Sequence, residues 1–198
     1  MILVAVLIPL YMVEPGGNLP RIELVASVPV GEETPEQMRR RKLSEFAITT
    51  FADANKCKAF ASVFEKAVSG TTGSSSAAGD TLEDLKFVLI GNSLTSRGTG
   101  DYFIGHEALK GAGGFKDFIS DESPQASHAM AAIYIGANFP PGAAQIAANS
   151  EFLDALAGDK PVNWQDIALY AVGGAIGQRT TNATLNEVAG KIRSAMCK

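Results

Sequence analysis

The chain is short of the side chains that usually carry metal or covalent chemistry. Its 198 residues hold two cysteines, two histidines and one tryptophan. Cys57 and Cys197 form no CxxC and join no Cys/His cluster, so the sequence argues against a zinc site and no cofactor is expected. Basic residues are in deficit: 17 Lys and Arg against 21 Asp and Glu give a net charge of −4 and a pI near 5.2. A nucleic-acid binder needs a concentrated basic surface, and this composition argues against one. The one basic run, Arg39-Arg40-Arg41-Lys42, follows Glu32, Glu33 and Glu36, the pattern of a solvated helix face. Long apolar runs are also missing. Residues 1–13 are apolar up to Glu14, too short to span a bilayer, with no basic start and no A-x-A cleavage site after them. No GxSxG elbow and no GxxxxGK[ST] loop occurs.

What remains is a chain that buries a core unaided. The length fits one domain, or one domain with an appendage, and 46% of residues are hydrophobic. Two β-rich runs, 2–13 and 22–30, flank the turn cluster EPGGNLP, so residues 1–30 are expected to form a β-hairpin appendage. A lone hairpin is marginal, so it would dock on a partner protein or on the remainder of a larger polypeptide. From residue 34 the spacing turns helical. Thr34, Pro35 and Glu36 make a start signal, and a break is expected around Thr49–Asn55. Residues 70–79, GTTGSSSAAG, read as a flexible Gly/Ser loop, after which Asp80 caps a short helix. Residues 91–114 are glycine-rich and irregular, the kind of long loop that is often functional. Further helices start at Ser123-Pro124, after NFPPG, at Asn163 and at Thr181 or Asn182. The expected fold is mainly α: a single globule over 34–198 of six or seven helices, with the hairpin added.

The candidate chemistry gathers around few residues. His128 lies in the apolar run SHAMAAIYIG, whose faces suggest a helix buried nearly all round. A buried imidazole needs a hydrogen-bond partner, so His128 is either a satisfied core residue or a general base facing a pocket. Asp101, His106 and Glu107 lie together in the glycine-rich stretch. They are candidate catalytic residues with His128, and Glu107 with Asp101 or Asp117 would make a carboxylate pair. The alternative is that Asp101 and Glu107 cap and solvate a loop–helix junction. His106-Glu107 is not an HExxH motif, since Lys110 stands where the second histidine belongs, and no metal site is expected. VGGAIG at 172–177 lies within a helix, so its glycines would admit a close helix neighbour and not a dinucleotide. Ser127 and His128 adjoin in sequence but point apart on a helix. In an oxidising compartment Cys57 and Cys197 would pair, worth roughly 4–5 kcal/mol in the chain-entropy model. Two buried free thiols are the alternative.

The segments SPQASHAMAAIYIGA, DIALYAVGGAIGQ and LNEVAGKIRSAMC, together with NKCKAFASVFEKA, resemble the helical domain at the carboxyl terminus of bacterial RHS repeat-associated proteins. The resemblance covers about residues 55–198. The residues after His128 are smaller than that pattern has. It implies a module of a large secreted or cell-surface protein, toxin-associated in some cases, with residues 1–30 as a remnant of what precedes it. It carries no catalytic residue across. Three functions follow: an exported helical module, a hydrolase acting on a cell-wall or lipid substrate through His128, His106, Glu107 and Asp101, or a non-catalytic interaction module. A cytoplasmic location is the alternative to export.

Overall fold

Thr34 opens the first helix by hydrogen bonding. Its hydroxyl accepts from the Gln37 backbone N–H (3.2 Å), and the Gln37 side chain accepts from the Thr34 N–H (2.9 Å), a reciprocal cap ahead of Pro35. This is a computed structural model that describes residues 33–92, 94, 100–121, 123–149, 158 and 161–198. Residues 1–32 separate from 33–198 as their own unit, and the expected hairpin lies outside the described residues.

The described part is mainly helical. Its elements are α1 (Pro35–Thr50), α2 (Lys56–Thr71), α3 (Ala77–Leu89), α4 (His106–Leu109), α5 (Gln125–Asn138), α6 (143–149), α7 (Trp164–Gln178) and α8 (Val188–Met196), with short 3-10 turns at Asp117–Ile119 and Leu185–Glu187. No strand occurs among the described residues; Phe115 and Cys197 form one isolated antiparallel bridge. The break after Thr50 falls where the β-branched and Asp/Asn residues collect, and Asn55 caps α2 by accepting from Lys58 N–H (3.0 Å).

α2 is the central element. Cys57, Phe60, Val63, Phe64 and Ala67 form one buried stripe, and buried Ala59 and Ala61 on its two flanks widen it to more than half the circumference, so α1, α3, α5 and α8 can pack against it. Leu85, Leu89, Met130, Ile133 and Ile192 complete the same core from α3, α5 and α8. A disulfide joins Cys57 in the first turn of α2 to Cys197 after α8, with Cα atoms 5.5 Å apart and 140 positions of chain between them. Around it, Cys57 N–H donates to Gly113 O (3.0 Å), Lys116 N–H to Met196 O (2.8 Å) and Lys198 N–H to Gly114 O (2.8 Å). A Cβ on Gly113 would stand 2.0 Å from the Ala54 carbonyl oxygen, so only glycine fits that approach.

α5 and α7 run parallel and nearly touch. Gly173 lies against Ala132, Gly136 against Gly174, and Gly177 against Ile133 and Ala137, in matching order along both chains. A Cβ on Gly177 would come within 2.1 Å of the Ile133 carbonyl oxygen. The glycines of VGGAIG therefore admit a helix neighbour, as their spacing predicts.

Several expectations are corrected. Arg39 and Arg40 are not a solvated face: their Nε atoms donate to the two oxygens of Asp84 (2.9 and 3.0 Å), whose side chain is 4% exposed, and Arg40 stacks over Phe87 at 3.7 Å. α1 buries only Leu43 and Ala47, so this charge pairing is what fastens it to α3. The Gly/Ser stretch 70–79 is not all loop: it finishes α2 and supplies the first turn of α3 from Ala77, and Asp80 sits inside that helix. Asp80 accepts from the hydroxyls of Ser74 (2.7 Å) and Ser76 (3.0 Å), while Asn182 accepts from Ala78 N–H (2.8 Å) and donates to Ser75 O (2.8 Å). Serines that lower burial also make local caps, and a distant asparagine completes this one. The last helix begins at Val188, because Thr181 and Thr184 close a turn first. Among the described residues no helix is long and apolar enough to cross a membrane.

Candidate functional site

The most polar interior of the described residues lies where α5 and α7 begin. Because the two helices are parallel, their starts share one end, and the polar residues that begin each helix meet there. Asn163 caps α7, its carbonyl oxygen accepting from Asp166 N–H (3.1 Å). Its amide also donates to Asp166 Oδ2 (2.9 Å) and to Asp121 Oδ2 (2.5 Å), just ahead of α5. Asp121 accepts further from Ser123 N–H (2.7 Å), from the Ser123 hydroxyl (3.0 Å) and from the Gln125 amide. Ser123 therefore serves Asp121 and does not cap α5, whose N-cap position is Pro124.

Asp166 is the centre of this arrangement. Its side chain is 6% exposed, a burial a carboxylate tolerates only with partners. Its partners are Asn163, the positive end of α7 and His128, whose Nδ1 lies 3.1 Å from Asp166 Oδ1. The His128 side chain is 33% exposed. The expectation of an imidazole sealed away from water is thus corrected. Ser127, His128, Ala131, Tyr134 and Ile135 form a half-exposed edge along α5, and only the rest of the helix is enclosed. Gln125 at the start of α5 is wholly buried, and its side-chain oxygen has no hydrogen-bond partner.

A carboxylate beside Nδ1 favours the tautomer that carries its proton on that nitrogen. That is the arrangement of a general base oriented by a buried acid. The other sequence-predicted residues are carried by α4 and the turn before it. His106 begins α4, is exposed, and meets the Phe103 ring edge-on at 5.1 Å between centroids. Glu107 follows it, exposed, and Asp101 is exposed in a turn. Asp117, the alternative acid, opens a 3-10 turn and pairs with Lys198 (2.5 Å). Among the described residues no three His, Cys, Asp or Glu side chains gather so as to hold a metal ion.

Sequence reasoning found His128 and the Asn163 cap but missed Asp166, Asp121 and Gln125 as a set. A helix-start asparagine followed three positions later by aspartate was the available signal. No family model, curated protein or solved structure matches this chain.

Proposed function

We propose that the chain is a disulfide-locked helical module of an exported protein. The Cys57–Cys197 bond carries this reading, since disulfides persist in oxidising compartments and are rare in reducing ones. The likeness of residues 55–198 to RHS-associated carboxyl-terminal domains fits it, because such modules ride on large exported chains. Intact mass of protein recovered from its native compartment tests the proposal. The expected mass is lower than that of the reduced chain by two hydrogen atoms, and a fully reduced native protein would end it.

A second reading is favoured by one specific observation, the contact of His128 with the buried Asp166. In this reading the module is a hydrolase in which His128 activates water or a hydroxyl against a cell-wall or lipid ester or amide. Asp166 orients the ring and stabilises it once protonated, and Asn163 fixes Asp166. Assay of the oxidised full chain against peptidoglycan fragments and acyl esters decides it. Turnover should fall about a hundredfold or more in His128→Ala, the range general-base removal gives. Turnover undiminished in that variant, or none in the parent, would refute the hydrolase. The same assay on His106→Ala and Glu107→Gln shows whether the exposed pair contributes. Docking through residues 1–30 concerns positions outside the described residues.

A further inference from the structure

The far end of α7 from Asp166 borders a groove against α8. Its lining is Ala171, Val172, Ala175, Ile176 and Arg179 from the α7 side and Lys191, Ser194 and Ala195 from α8, around a volume of about 460 Å³. That is within the range of small-molecule sites, which are mostly apolar with a few polar groups that fix orientation. The polarity of this groove is ordered. Arg179 and Lys191 are the lining residues nearest the 179–187 connection on their respective helices, so both cations stand toward that one end. Val172, Ile176 and the alanine methyls make the remaining walls. Among the described residues no acid lines the groove; Glu187 pairs with Lys191 from outside it (3.0 Å) and is itself largely exposed. Arg179 has no carboxylate partner among the described residues, unlike Arg39, Arg40, Arg41 and Arg193, each of which is paired.

The geometry points to a binding site for a single-chain amphipathic anion, a free fatty acid or similar acyl carboxylate. The acyl chain lies along the small-residue trough between α7 and α8, and the carboxylate meets Arg179, with Lys191 beside it. Short alanine and serine side chains from both helices leave room along the trough for an unbranched acyl chain to lie in contact with Val172 and Ile176. The guanidinium favours a carboxylate over a neutral head, because its fork of donors matches two oxygens. This site is separate from the His128 cluster and does not depend on it.

Calorimetric titration of the oxidised full chain with octanoate, decanoate and dodecanoate, all below their micelle concentrations, tests the proposal. Saturable one-to-one binding is expected, tightening by up to about fourfold per added methylene. Arg179→Gln should weaken dodecanoate binding about tenfold and leave dodecanol binding unchanged. Ala175→Trp, at an exposed position, should abolish binding of both, and thermal melting of each variant should match the parent. Three results would overturn it: no saturable binding, binding indifferent to Arg179→Gln, or binding only to phosphatidylglycerol vesicles and not to monomeric dodecanoate.

Discussion

Two regions of the helical frame are held by different physics. At the Cys57–Cys197 end, a covalent bond, three backbone hydrogen bonds and a close glycine approach join α2, the 113–116 segment and the tail after α8. Its titratable groups lie at the rim, where Lys198 pairs with Asp117. At the shared start of α5 and α7, Asp121, Asn163, Asp166 and the His128 imidazole join the helices by hydrogen bonds, with the ring a third exposed. Farther along, the α5–α7 seam is closed by glycine and alanine. The lesson is a division of labour. One region is closed by a covalent bond and backbone hydrogen bonds, the other by side-chain hydrogen bonds to a carboxylate that burial would otherwise penalise.

That contrast can be broken experimentally. Replacing both Cys57 and Cys197 by serine should cost up to about 5 kcal/mol, the chain-entropy value for so long a loop. Urea denaturation with and without reductant measures it, and a loss under about 1 kcal/mol would show that the backbone stitching alone closes that end. Gly177→Val should cost about 1–3 kcal/mol by overpacking the seam, because its Cβ meets a backbone carbonyl that has nowhere to move. Thermal melting checks this, and an unchanged melting temperature would mean α5 and α7 can separate freely. His128→Ala should cost only about 1 kcal/mol, since Asp166 keeps Asn163 and the helix end. Differential scanning calorimetry beside the turnover assay separates that small structural role from a chemical one.

The smallest expected effect sharpens the view of how α5 meets α3. Tyr134 donates to Glu83 across those helices. Burial favours the neutral form of Glu83, yet hydrogen bonds from Lys86 and Tyr134 and the charges of Lys86 and Arg40 outweigh it and hold the carboxyl below its usual range. Burial and the Glu83 contact push the Tyr134 phenol up to about 12. A carboxyl with a depressed folded-state value contributes stability above its unfolded value and loses it as pH falls through the folded one. Tyr134→Phe should therefore lower stability near neutral pH by less than about 1 kcal/mol, with the difference from the parent vanishing as pH falls and Glu83 is protonated, so that the acid limb flattens. A steeper limb would contradict the pairing.

Much of the helical frame was legible. The capping box at Thr34–Gln37, the Asn163 cap and the break before Asn55 are local signals, each a side chain bonding its own neighbourhood. The errors lie where a distant group took over. Arg39 and Arg40 looked solvated because Asp84 is more than forty positions away in sequence. Residues 70–79 looked loose because Asn182 lies beyond reach of any local pattern. The acid that meets His128 is Asp166, thirty-eight positions away in sequence, and no short window around either residue shows the pair.

The residue pattern alone determined that helices form after Thr34, where most of them begin, and that glycines near 173–177 admit a close neighbour, since these follow from hydrogen bonds and periodicity within a few turns. Only the tertiary structure decided which cysteine state holds, that α5 and α7 run parallel, and that His128 meets Asp166. Those outcomes depend on pairs separated by tens of residues, whose meeting is set by the packing of the whole core and leaves no trace in any short window.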